Sequence, residues 1–193
     1  TFSSGLRSIL RHDPDKIMVG EIRDSETAQI AVQSALTGHL VLATVHANNA
    51  LDIIPRFIHM GVDPYNFVSA LNGVVAQRLI RMICPACGED DDPSVKALAA
   101  SRLTLASCHS FHFRVGRGCE TCHGSGYKGR RTITEILHLD DEIRELIIAK
   151  EPIRRIKEAA KTAGMRFLRE AALELVKSGE TTLEEINRVT FMA

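Results

Sequence analysis

Apolar and polar positions alternate between two periods along this chain, and the change of period marks its elements. Ile17, Met18 and Val19 form a short buried-strand run that ends in Gly20-Glu21, and residues 40–45 form a second that ends in His46. Between them Ser25–Leu36 reads as a helix closed by Gly38. The pattern predicts strand, helix, strand, and in open parallel sheets ligands sit beyond the carboxyl ends of the strands, where Glu21 and His46 fall. Upstream, Leu6, Ile9 and Leu10 stand at helical spacing. Downstream, residues 50–60 read as a helix with Ile53, Ile54, Phe57 and Ile58 on its apolar side and Gly61 as its stop. Asp63-Pro64 fits an N-cap and first helical position for a helix to about Leu71, and residues 74–83 suit a strand or buried segment.

The pattern then lapses. Residues 84–131 hold two cysteine pairs, an acidic run at 89–92 and closely spaced glycines, which predicts a loop-rich unit with little core of its own and a need for a staple. From residue 136 the helical period returns. Asp140 is placed to cap a helix through Ile148, and Pro152 to open one that Gly164 closes. Residues 165–177 carry Leu168, Ala172, Leu175 and Val176 on one face, and Thr182 with Glu185 predicts a capping box for a last helix. The expected organisation is three consecutive segments: an α/β segment at 1–83, a cysteine-rich one at 84–135 and a helical one at 136–193.

Composition narrows the partners. With 45% hydrophobic residues the chain can bury a sizeable core, and Lys plus Arg balance Asp plus Glu at 24 each. No global field draws it to nucleic acid or an anionic membrane, so neither is expected as a direct partner. Basic residues between 150 and 169 stand at helical spacing and read as a solvated face. No apolar stretch is long enough to span a bilayer, and the first residues do not form a secretory signal, so a cytoplasmic location is expected. The sequence opens on Thr1 within a helical pattern, and a piece of a longer chain is the expectation.

Cys84-Pro-Ala-Cys87 and Cys119-Glu-Thr-Cys122 are separated by 31 residues. Two CxxC turns present four thiolates to a tetrahedral ion, and metal bonds then replace a missing core. A structural zinc site on Cys84, Cys87, Cys119 and Cys122 is expected, against free buried cysteines as the plainer reading. Gly88, and Gly124 with Gly126, supply backbone freedom beside the knuckles. Cys119 to His123 also reads CETCH, a c-type haem attachment pattern that would leave Cys84 and Cys87 unexplained. Cys108, His109, His112 and His123 are possible substitute ligands.

Glu21 emerges beside Arg23, and in a phosphate site such an acid can hold the magnesium shell or orient water while the arginine neutralises transferred charge. A solvated loop acid is the plainer reading. Asp24 and Ser25 are better placed to cap the following helix. His39 and His46 stand at opposite ends of one strand, with His46 on the ligand side. Arg7 and Arg11 share a helix face at i, i+4 spacing, which suits a solvated face or a contact to a neighbour's phosphates.

Taken together these segments resemble the secretion ATPases of type II secretion and type IV pilus assembly. LRSILRHDPDKIMVGEIRDSETA is similar to that family's Walker B region, TGHLVLATVHAN to its histidine box, and AQRLIRMICPAC with GRGCETCHGSGYKGRR to its tetracysteine zinc subdomain. The resemblance implies an α/β fold: the C-terminal part of a RecA-like P-loop ATPase core, then a small zinc-binding subdomain and a helical C-terminal subdomain. It implies that Glu21 is the Walker B acid near magnesium and that His46, with His39, belongs to the histidine box that responds to the γ-phosphate of ATP. It also implies that Arg7, Arg11, Arg23 and Arg56 link the nucleotide to the neighbouring subunit of a homo-hexamer. Glu21, His46 and Arg23 are the expected catalytic group.

The same resemblance implies zinc in this chain, and ATP with magnesium in a full-length parent. It implies an inner-membrane platform protein and a cytoplasmic adaptor as partners, and peripheral association at the cytoplasmic face of the inner membrane. The tetracysteine unit resembles assembly or secretion motors rather than pilus retraction motors. There are two departures. Where the family usually reads GRTGIYE, this sequence has Gly129-Arg130-Arg131-Thr132-Ile133-Thr134-Glu135, and no GxxxxGK[ST] occurs. A P-loop supplies most of the nucleotide affinity, so the chain is expected not to hydrolyse ATP alone. The competing class is a non-enzymatic zinc-dependent interaction module, since CxxCxGxG also resembles chaperone zinc knuckles, although only one copy occurs.

Overall fold

The computed structural model describes residues 2–12 and 14–190, leaving aside the side chains of residues 2, 3 and 7. In chain order the elements are α1 (Phe2–Ile9), β1 (Lys16–Val19), α2 (Ser25–Leu36), β2 (Leu40–Ala43), α3 (Ile53–His59) and α4 (Pro64–Ala70). Then come β3 (Gly73–Ile83), β4 (Gly88–Asp90), α5 (Val95–Ala100), β5 (Arg114–Gly116) and β6 (Tyr127–His138). Helices α6 (Asp141–Ile148), α7 (Ile153–Thr162), α8 (Leu168–Lys177) and α9 (Leu183–Val189) complete the order.

These elements gather into two compact units, each made of two stretches of chain: Thr1–Val75 with Ile136–Met165, and Ala76–Glu135 with Arg166–Ala193. The segment boundaries expected at 83 and 135 follow sequence order. Spatial contact instead returns residues 136–165 to the first unit and 166–193 to the second, because the paired strands β3 and β6 each run through the change of unit.

In the first unit β1 and β2 are parallel, with Lys16 opposite Leu40 and Val19 opposite Ala43, and α2 is the crossover between them. Asp24 caps α2, accepting from the Thr27 N–H at 2.8 Å and its hydroxyl at 2.9 Å. Ile17, Val19 and Ile22 are buried, as are Ala28, Ala31 and Val32 of α2. The expected run to residue 45 leaves the regular ladder at Ala43, because Thr44 takes over the pairing irregularly. Helix α3 starts three residues later than expected, where the Asn49 side chain accepts the Asp52 N–H in a turn of its own. Asp63 caps α4, accepting from the Asn66 N–H at 3.1 Å, with Pro64 at the first position. Phe57 of α3 and Phe67 of α4 pack with ring centroids 5.0 Å apart and planes tilted by 37°. Asp140 caps α6 as expected.

In the second unit, the described core gathers Ile80 and Ile133 from the paired strands with Leu98, Cys108, Leu168, Ala172, Val176 and Ile186. The sequence pattern did not show β6. Gly129 and the strand's cluster of basic residues read as loop, yet Ile133, Glu135 and Leu137 alternate inward over its second half. The stretch Gly129–Glu135, where the resembling family reads GRTGIYE, is strand throughout. Glu135 is buried and accepts the Leu168 N–H at 2.8 Å, which is why α8 begins at residue 168 and not 165. The capping box expected for α9 is half formed: Thr182 accepts the Glu185 N–H, but the Glu185 carboxylate turns to arginines.

Candidate functional site

The parallel register of β1 and β2 decides what meets at their carboxyl ends. Beyond the ladder, the Ile22 N–H donates to the Thr44 carbonyl at 2.9 Å and the Thr44 N–H to the Val19 carbonyl at 3.3 Å. The Thr44 hydroxyl closes the gap by donating to the Gly20 carbonyl. These bonds hold the two strand exits side by side and place Glu21 against His46. His46 Nε2 lies 2.9 Å from Glu21 Oε1, at ion-pair distance, while Arg23 Nε donates to Oε2 at 2.6 Å and its Nη2 also reaches that oxygen.

Glu21 is 20% exposed, whereas Arg23 and His46 stand largely in solvent. The Arg23 hydrogen bond holds the Glu21 carboxyl below its ordinary value against the upward push of burial, and the charges of Arg23, His46 and Arg56 add to the lowering. The acid is therefore an anion at neutral pH. Its Oε1 atom is buried and accepts no hydrogen bond, since His46 approaches it outside hydrogen-bond alignment. The Nε atom of Arg56, on α3, is buried and donates to nothing among the described residues. An acceptor oxygen at the strand exits and a cationic donor on α3, whose charge acts on Glu21, thus have no hydrogen-bond partner among the described residues, and buried polar atoms of this kind are uncommon. A divalent cation is what the open oxygen suits, and a phosphate is what the arginine suits.

Not every expected residue joins this group. His39 stands at the start of β2, with Nδ1 3.0 Å from the Ser34 carbonyl and 3.3 Å from the Thr37 hydroxyl, so its imidazole closes the end of α2. Arg11 is exposed in the turn after α1. The Arg7 side chain lies outside the described residues. Thr44 is the residue that sequence reasoning missed. Its signal was available as a hydroxyl next to the strand end, but only the register shows which carbonyl it reaches.

The second candidate centre is built from the two knuckles. The Cys84 and Cys119 sulfurs are 3.9 Å apart, Cys87 and Cys122 3.8 Å, and Cys119 and Cys122 3.7 Å, and all four sulfurs lie within 4.8 Å of one another. A tetrahedron of sulfurs around zinc, with bonds of about 2.3 Å, has edges of about 3.8 Å. The four thiols are free of disulfides and fit that ion. The Cys119 N–H donates to the Cys122 sulfur at 3.2 Å and the Gly126 N–H at 3.3 Å. The Cys119 bond is the largest cause that draws the Cys122 thiol down to about 6, while burial pushes Cys87 up to about 12. A cation at the centre would favour the thiolate at all four.

Glycines let the knuckles meet. A Cβ on Gly118 would stand 2.7 Å from the Gly124 carbonyl oxygen, and one on Gly116 would overlap that of Gly126. The backbones cross-link here: Cys84 N–H donates to Gly126 O at 2.9 Å and Arg117 N–H to Cys87 O at 3.1 Å. Gly116 and Gly118 escaped the sequence reading, which named Gly88, Gly124 and Gly126 for backbone freedom beside the knuckles. Cys108 is packed in the apolar core, His109 Nδ1 bonds the Ala106 carbonyl, and His112 Nε2 lies 2.9 Å from Asp90. Among the described residues, the metal-competent cluster contains only the four cysteines, with none of these and not His123. Cys119 and Cys122, the haem-attachment pair of CETCH, point their sulfurs at Cys84 and Cys87 instead.

An α/β unit with an acid, an arginine and a histidine at its strand exits, together with a four-cysteine centre, is the class defined so far. The chain belongs to the type II/IV secretion system protein family, whose model matches residues 1–188. It is 50% identical over 186 residues to the type IV pilus assembly ATPase PilB of Thermus thermophilus, covering 96% of this chain and 21% of that protein. It is 47% identical to the type II secretion system protein HxcR of Pseudomonas aeruginosa, over 98% of this chain and 36% of that protein. The chain thus spans well under half the length of these relatives. Among solved structures, the pilus retraction motor PilT with bound ADP aligns with a TM-score of 0.67 at 26% identity, over 98% of this chain and 43% of that one. The Legionella pneumophila ATPase DotB aligns at 0.63 with 19% identity, a likeness of fold. Among the described residues no helix is long and apolar enough to cross a membrane.

Proposed function

We propose that this chain is the C-terminal portion of a motor ATPase that powers type II protein secretion or type IV pilus assembly, and that it carries one side of the nucleotide site. The observation that carries the reading is the meeting of Glu21, Arg23 and His46 at the exits of two parallel strands. Glu21 is the acid that would take part in the magnesium shell through its open oxygen. His46 and Arg23 would act on the terminal phosphate, and Arg7, Arg11 and Arg56 are assigned by the family resemblance to the link with a neighbouring subunit. Magnesium supplies charge neutralisation on the phosphates when ATP is bound. His39 serves this group by closing the end of α2 just before β2.

The names of the relatives support the motor reading, since they are ATPases and proteins of these two machines. The absence of GxxxxGK[ST] from the sequence supports a division of labour in which another part of the parent cradles the phosphates. The parent works as a homo-hexamer on the cytoplasmic face of the inner membrane, through a platform protein and a cytoplasmic adaptor. The four cysteines hold zinc, which knits together the two knuckles of the second unit. Mutation of the full-length parent tests this. Glu21→Gln is expected to lower ATP turnover at least 100-fold with the folded state intact. Turnover unchanged in that variant, or turnover by the isolated 193-residue chain, overturns the reading.

A further inference from the structure

Glu185 is an acid of the second unit whose two carboxylate oxygens both accept hydrogen bonds, and nothing in the nucleotide reading uses it. It is fully buried. Its Oε1 accepts the Arg81 N–H at 2.9 Å and its Oε2 accepts Arg81 Nε at 2.8 Å and Nη2 at 2.6 Å. Arg188 adds Nη2 to Oε1 at 2.7 Å and Nε to Oε2 at 2.9 Å. Arg81 is not an arbitrary partner. It lies on β3 three residues before Cys84, and its guanidinium carbon sits 4.2 Å from the ring centroid of Tyr127.

Tyr127 in turn follows Gly126 and begins β6, on the exit from the second knuckle. Its hydroxyl lies 2.7 Å from that of Thr182, the cap of α9. Two further bonds hold the same strand exit: the Thr181 hydroxyl donates to the Arg81 carbonyl at 2.8 Å, and the Ile83 N–H donates to the Glu180 carbonyl at 2.9 Å. Hence the strand entering the first knuckle and the strand leaving the second are both pinned to α9 and the loop before it, and to each other by the stacked Arg81 and Tyr127. On their other side the knuckles are joined by the antiparallel pairing of β4 with β5, by the Arg117 N–H to Cys87 carbonyl bond and by their sulfurs.

We infer that Glu185 and Thr182 of α9, acting through Arg81 and Tyr127, are the outer brace of the four-cysteine centre, fixing the separation of the knuckles so that metal retention and docking of α9 depend on each other. The inference rests on the cysteines holding a metal. These are positioning residues and touch no ligand atom. Supporting groups outside the ligands commonly change metal affinity by about 10–100-fold, and coupling of this kind is reciprocal.

The test is zinc release from the 193-residue chain to a chromophoric chelator, read beside amide hydrogen exchange. Glu185→Gln is expected to release zinc at least about tenfold faster, and Tyr127→Phe, which removes only the hydroxyl, several-fold faster. Glu135→Gln, a buried acid that supports α8 and not the knuckles, is expected to stay within about twofold. Stripping zinc from the wild-type chain is expected to strip exchange protection from α9 while α6 keeps its own. If Glu185→Gln does not fold, Tyr127→Phe decides. Release unchanged in Tyr127→Phe, equal acceleration by Glu135→Gln, or α9 protection indifferent to zinc overturns the brace. A wild-type chain that retains no zinc overturns the metal reading itself.

Discussion

Glu21 and Glu185 each meet two basic side chains, and their surroundings give them opposite characters. Glu21 meets Arg23 and His46 at a solvent-facing strand edge, and one of its oxygens accepts no hydrogen bond. Glu185 meets Arg81 and Arg188 in the interior, with both oxygens bonded and the Arg81 backbone N–H added. An ion pair in water contributes little to stability, whereas a buried carboxylate is tolerated only when its hydrogen bonds are complete. The incomplete acid is thus the one available to a ligand, and the complete one belongs to the architecture.

The largest effect that could break this comparison lies at the cysteine centre beside Glu185. Structural zinc sites contribute on the order of 10 kcal/mol to folding, so chelation or Cys122→Ser is expected to abolish the cooperative melting of the second unit, followed by calorimetry. A melt unchanged by chelator removes the centre from the fold's support. Next, Glu185→Ala is expected to cost about 3–5 kcal/mol by urea unfolding, because it leaves arginine charge without its partner. Glu21→Ala should cost no more than about 1 kcal/mol. Equal costs for the two would erase the distinction drawn between them.

Acid separates the two acids further. Burial works against the Glu185 anion, but the hydrogen bonds from Arg188 and Arg81 prevail and hold its folded pKa at about 2, below the ordinary 4.5. A depressed acid contributes stability that is fully present above the ordinary value and is lost as the pH falls towards the folded one. The stability of the chain should therefore decline between about pH 4.5 and 2, with a slope that Glu185→Gln flattens. An unaltered slope in that variant assigns the acid sensitivity elsewhere. The smallest effect concerns α2, the helix behind Glu21. Asp24→Ala is expected to cost about 1 kcal/mol, read by thermal denaturation, and leaves the second unit untouched.

Much of the local structure was legible because it depends on neighbours in sequence. Asp24, Asp63 and Asp140 cap their helices as their spacing with the following residues implied. The strand–helix–strand run and both CxxC turns could likewise be read from period and spacing. What escaped depends on partners far along the chain. Strand β6 looked like loop because its first half carries glycine and charge, and its inward alternation has meaning only beside β3. Glu185 read as half of a capping box because Thr182 is three residues away, while Arg81 is 104 residues away. Gly116 gave no signal of its own, since the atom that excludes a side chain there belongs to Gly126.

The sequence by itself determined the residue types: an acid and a histidine at the ends of two apolar runs, four thiols in two turns, and caps at the helix starts. Tertiary structure decided which of them are finished. The parallel register set His46 beside Glu21 and sent His39 to the end of α2, and the folded core completed the hydrogen bonds of Glu185 while leaving a Glu21 oxygen open. Hydrogen-bond completion depends on which donors arrive from distant stretches of chain, and only the packed chain fixes that arrival.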